Sequence, residues 1–121
     1  MRKIEQQIEL ICTAYEYINK LTQGTLEATE YFHSGQEDKG FQSVSLIADG
    51  TLWLVGAIEL TRRVQKEEIK TEGIMAKINE INEAMQKNDT VLIADLLEFE
   101  IVPVFQQWQL SIQKSIGLAL V

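Results

Sequence analysis

The sequence predicts an all-α fold, an antiparallel four-helix bundle built from two helical hairpins, and three observations carry that expectation. Apolar residues recur with a period near 3.5 almost from end to end. No alternation of period two lasts long enough for a sheet, and Gly or Asn-Asp turns divide the helical stretches. The 121 residues suit one domain spanning 1–121, with enough chain to bury one sizeable core. A single cysteine, Cys12, cannot close an internal disulfide, which points to a reducing, cytoplasmic setting.

The first helix is expected over 3–33, on the apolar series Ile4, Ile8, Ile11, Tyr15, Ile18, Thr22, Thr25. It stops at His33-Ser34-Gly35, where Gly35 supplies the C-terminal cap. A second helix over 38–66 follows Phe41, Val44, Ala48, Leu52 and Val55, with Asp38 as its N-cap. The third, 71–87, is shorter and reads Ile74, Ile78, Ile81, Met85. After the turn Lys87-Asn88-Asp89, the fourth covers 90–117 through Ile93, Leu97, Ile101, Val104, Trp108 and Ile112. Pro103 lies inside it, lacks an N–H and crowds the carbonyl of Phe99, which predicts a bend. Leu46-Ile47-Ala48-Asp49 returns as Leu92-Ile93-Ala94-Asp95, and the echo sets Trp53 against Phe99. That faint repeat fits two hairpins in which helices 2 and 4 are equivalent.

The net charge is −7, and the basic run Arg62, Arg63, Lys66, Lys70 is interrupted by Glu67 and Glu68. Nucleic acid wants cations gathered on one face, so this run reads as a solvated helix end. Glu5 and Glu9 occupy the place where a signal peptide needs its apolar stretch. The richest apolar window, Gly50–Ile58, falls short of the ~20 residues of a membrane span. With one His and one Cys the chain can barely assemble a zinc site, the di-iron pattern Glu30-x-x-His33 has no second copy, and His33 beside a glycine turn reads as an exposed helix end. No phosphate-binding glycine loop occurs, and the acidic signature of helical pyrophosphohydrolases fails at Glu72, one position too late after Glu67-Glu68. No catalytic residue, metal or cofactor is assigned.

Two groups of residues remain as site candidates. At ~100° per residue, Glu100 falls between Leu96 and Val104 inside the apolar stripe, where a carboxylate needs a partner. Tyr15 or Tyr17 would lie at its level, and Glu59 with Arg62 raises the same question near the other end. These buried polar candidates define an alternative, a small ligand-binding protein or enzyme with a pocket around Glu100. The second group lies on helix 2, where Leu46, Trp53, Ala57 and Leu60 fall opposite the expected core face. Gly50 and Gly56 flank that stripe and would let another backbone approach. A tryptophan centred in such a patch is what a binding hot spot requires.

The turn Ser34-Gly35-Gln36-Glu37-Asp38 with Phe41 after it, and the later Lys87-Asn88-Asp89, are similar to the turn-and-helix rhythm of flagellar and type III export chaperones. The segment Asp95-Leu96-Leu97-Glu98-Phe99-Glu100, continuing to Pro103 and Trp108, resembles small uncharacterised helical proteins of Gram-positive bacteria. The first likeness implies a chaperone-like role in flagellar or export machinery; neither transfers a functional residue. The expected function is therefore a non-enzymatic interaction module. It would be a homodimer or a binder of a helical client, with neither nucleic acid nor membrane as partner.

Overall fold

The computed structural model describes residues 3–120, with side chains described to residue 117. Its helices are α1 Lys3–His33, α2 Glu37–Leu60, α3 Ile74–Gln86, α4 Thr90–Leu96 and α5 Val102–Leu120. A 3-10 turn occupies Arg62–Val64, and a π-helical turn at Leu97–Ile101 joins α4 to α5 without a break. There is no strand among the described residues, and the fold is all-helical with four helical stretches.

The ends of these elements have local causes. Gly35 adopts φ 79°, and the Gln36 N–H donates to the Tyr31 carbonyl at 2.8 Å, closing α1. The N-cap of α2 is Gln36 rather than Asp38, and no side chain caps it. Asp38 instead sits in the first turn, where its charge still faces the positive end of the helix. Asp89 caps α4, its carboxylate accepting the Leu92 N–H at 3.1 Å.

α2 stops at Leu60, short of the expected residue 66. Thr61 and Gln65 compete for the last carbonyls: the Thr61 hydroxyl donates to Ala57 at 2.8 Å, and Gln65 Nε2 donates to Ile58 at 2.7 Å. The chain then runs through 65–73 as an irregular strap held against α5. Trp108 Nε1 donates to the Lys70 carbonyl at 3.1 Å, and the Lys66 N–H to Ser115 Oγ at 2.9 Å. Ile69 is the strap's buried side chain, and Gly73 at φ 90° turns the chain into α3.

α1 is the central element. It packs along α2 on one side and along α4, the π-turn and α5 on the other, while α3 lies against α4. The extensive contacts of α2 are with α1. Ile11, Ile18, Leu54, Ile93, Leu97 and Phe105 are among the side chains that close the core.

Threonines 22, 25 and 29 of α1 are buried in that core, each hydroxyl donating to the carbonyl four residues back. The Leu21 carbonyl that Thr25 uses already serves its own helix, so removing the hydroxyl orphans nothing. Thr25→Val is expected to raise stability by ~0.5–1 kcal/mol in urea unfolding. A loss larger than ~1 kcal/mol would show that the hydroxyl has a structural role.

The π-turn is where the bend expected at Pro103 is resolved. The Val102 N–H bonds the Leu97 carbonyl five residues back, so the turn immediately before Pro103 holds one extra residue. The wider register also keeps one face inward: Leu97, Ile101 and Phe105, each four apart, are all fully buried.

Candidate functional site: a groove along the α1–α2 hairpin

α2 turns Val44, Ile47, Thr51, Leu54 and Ile58 toward α1. At ~100° per residue, Leu46, Trp53 and Leu60 fall on one flank of that face. They are 70%, 42% and 68% exposed. Ala57, expected among them, is buried, because its position leans toward α1. Leu52, expected in the core, is exposed on the opposite flank, because the buried stripe centres on Ile47 and Leu54.

Gly50 contributes within the chain rather than to an incoming backbone. A Cβ there would run into the Tyr17 hydroxyl, so glycine lets the tyrosine lie across α2. Tyr17 thereby meets Trp53 edge to face, ring centroids 5.3 Å apart at 77°. Gly56 has open space where its Cβ would be.

Around this aromatic pair is a shallow depression of about 630 Å³, with Thr13, Leu46 and Asp49 on its walls. A second, about 300 Å³, continues along the seam toward Gly24, Glu27 and Tyr31. A third, about 360 Å³, lies at the other end between Leu60, Gln6 and Leu10. The first two share Tyr17 and Leu46, the third shares no residue with either, and all three lie along one α1–α2 seam, the groove. Its α2 wall is the heptad-spaced row Leu46, Trp53, Leu60, and its α1 wall is Leu10, Tyr17, Gly24, Tyr31 with the same spacing. The α1 wall escapes a sequence reading that follows the stronger series Ile11, Tyr15, Ile18. Its signal is the second series of the same period, one residue out of phase.

The remaining candidates stand apart from the groove and from one another. Glu100 is at the surface, its Oε1 2.9 Å from Lys77 Nζ. The π-turn slips the helical phase, so Leu97, Ile101 and Phe105 take the inward stripe and Glu100 is left on its flank. Tyr15 is half-buried beside Gln109, and Glu59 is exposed. Arg62 lies beyond α2 in the 3-10 turn, exposed, and pairs with Glu68. Cys12 is half-buried and His33 exposed. Among the described residues, no group of three or more His, Cys, Asp or Glu is placed to hold a metal ion.

By length and composition alone, α2 is long and apolar enough to cross a membrane, a longer stretch than Gly50–Ile58 suggests. In the fold its inner face is packed on α1.

A family model described as "Domain of unknown function (DUF8042)" matches residues 9–111. The chain belongs to this family. The DUF8042 span takes in both heptad rows of the groove, the strap and the π-turn. Comparison with curated proteins and with solved structures returned no match.

Proposed function

We propose that the protein is a non-enzymatic protein–protein interaction module whose α1–α2 groove takes a helix. That helix comes from a second copy of the chain or from a client held chaperone-fashion, as the likeness to flagellar and export chaperones suggests. The observation that carries this reading is the exposed row Leu46, Trp53, Leu60 facing the row Leu10, Tyr17, Tyr31. Single apolar residues on a surface are ordinary, but two aligned rows of them are not. Anchors repeating every seven residues match the face of one helix laid in a groove. An antiparallel bundle is the arrangement we adopt, because the turns at Gly35 and at Asn88-Asp89 are too short for the chain to cross to a far end. The acidic surface supports a cytoplasmic module that avoids nucleic acid and membrane.

Light scattering behind a sizing column tests the reading, with helicity followed in parallel. Trp53→Ala and Leu60→Glu are each expected to abolish the assembly, homodimer or complex, and to leave far-ultraviolet dichroism unchanged. A loss of helicity instead would make the row part of the core and overturn the proposal. So would a monomer that takes up no helical peptide.

A further inference from the structure

α2 is apolar beyond what its contact with α1 uses. From Gly40 to Ile58 its one charged residue is Asp49, and only 39% of its most apolar stretch is buried. A helix apolar on more than one face is normally covered on each of them. The groove beside it has no excess of negative charge, although the chain totals −7. Of the nine carboxylates from Lys3 to Leu60, Glu27 and Asp49 line its depressions; Lys3 and Lys20 line them too, and Lys39 stands over the Tyr31 ring at 5.8 Å. The exposed row is also symmetric end for end. Leu46 and Leu60 are each seven residues from Trp53, and on the α1 wall Leu10 and Gly24 are each seven from Tyr17. Tyr17, which meets Trp53, is next to Ile18, the midpoint of Lys3–His33.

We infer that the groove's occupant is α2 of a second copy, in an antiparallel dimer whose two-fold axis passes at Trp53. The inference rests on the reading of the groove as a helix-binding site and names the helix. Turning a second hairpin end for end about Trp53 sets each Leu46 on the partner's Leu60 and keeps the two hairpins in register along α1, as a self-complementary interface requires. The rows that meet are uncharged, so two acidic chains approach where like-charge repulsion is least. Each Asp49 falls level with the partner's Ala57, which holds the two Asp49 carboxylates ~12 Å apart along the axis, beyond the ~8 Å screening length. The area suffices as well. From Lys39 to Leu60 α2 runs ~33 Å and a face two helices wide is ~20 Å across, roughly 650 Å² per chain and roughly 1,300 Å² in all. Stable interfaces of standard size bury about 1,200–2,000 Å².

The test uses the full chain. Light scattering is expected to give twice the chain mass for wild type and the single mass for Trp53→Ala, with dichroism unchanged. Crosslinking in a Cys12→Ala background then reads the two-fold, by mild oxidation and a non-reducing gel. Leu46→Cys and Leu60→Cys, each alone, are expected to give no covalent dimer. Like positions would lie fourteen residues, ~21 Å, apart along the paired helices, and a disulfide needs Cα atoms within ~7 Å. An equal mixture of the two variants is expected to crosslink, and Trp53→Ala added to both is expected to abolish the crosslink.

A covalent dimer from either variant alone would mean parallel pairing. A dimer that Trp53→Ala dissociates but the mixture fails to crosslink would mean another register. Either result overturns the inference and leaves the groove a helix binder. A wild type that stays monomeric, or a dimer that Trp53→Ala leaves whole, also overturns it, and a synthetic amphipathic helix with Leu at the a and d positions then decides the broader reading. If wild type binds that peptide and Leu60→Glu does not, the occupant is a client and only the inference falls. If neither binds it, both fall together.

Discussion

Deleting Gln106 is expected to unfold the protein, whereas deleting Phe99 together with Pro103→Ala is expected to leave it folded. Both deletions remove one exposed residue from the same continuous helical rod. Loss of Gln106 rotates everything beyond it by ~100°, carrying Trp108, Ile112 and Ser115 out of the core. Taking a buried tryptophan out of the core costs ~3–5 kcal/mol and an isoleucine ~2–5, which together approach or exceed a typical domain's whole stability of ~5–15 kcal/mol. Loss of Phe99 has another consequence, because it falls in the turn that already holds one residue too many. The intervals between Leu97, Ile101, Phe105, Trp108 and Ile112 change from four, four, three, four to three, four, three, four. That is the alternation of a regular helical stripe, and Pro103→Ala restores the N–H it needs. Thermal unfolding followed by circular dichroism separates the two. If the Phe99 variant melts as poorly as the Gln106 variant, the π-turn is not a simple insertion and its wider ring is itself required.

Trp108→Ala is expected to cost ~3–5 kcal/mol, lowering the melting temperature by roughly 10–20 °C in a chain of this size. The indole is 3% exposed and lies tilted at 45° to the Phe105 ring, centroids 5.9 Å apart. Its Nε1 is also the donor that fixes the Lys70 carbonyl, so the variant both empties a core position and frees the strap. Trp108→Phe keeps most of the ring and loses the hydrogen bond, for ~1–2 kcal/mol. Hydrogen exchange supplies the finer readout. In Trp108→Phe the amides of Lys66 and Ile69 should lose protection well before those of α1. Protection that falls evenly over the chain would mean that the strap is not held through this residue.

How far the sequence discloses this architecture depends on whether each feature is set locally. The span of α1, the Gly35 terminus and the Asp89 cap are decided within a turn of the residues that make them, and they read directly from the chain. The row Leu46, Trp53, Leu60 is also legible, because its angular offset from Ile47 and Leu54 follows from helical geometry alone. The strap is not. α2 ends at Leu60 because Gln65 reaches Ile58, and 65–73 stays irregular because Trp108 and Ser115, roughly forty to fifty residues away, hold it. Glu100 fails for a different reason. A constant ~100° per residue places it in the core, and one π-turn upstream of Pro103 breaks that constancy. Helix propensity gives no warning of the slip, since Leu97 to Ile101 would all be acceptable in an α-helix.

The two tryptophans lie in opposite settings, Trp108 enclosed and hydrogen-bonded under the strap and Trp53 at the groove beside Tyr17. The chain therefore has two intrinsic emitters whose spectra should separate. Trp108, shielded from collisional quenchers, should emit to the blue for as long as the fold holds. Trp53, open to acrylamide and water, should carry the red edge, and a ligand lying over it would shift and protect that edge alone.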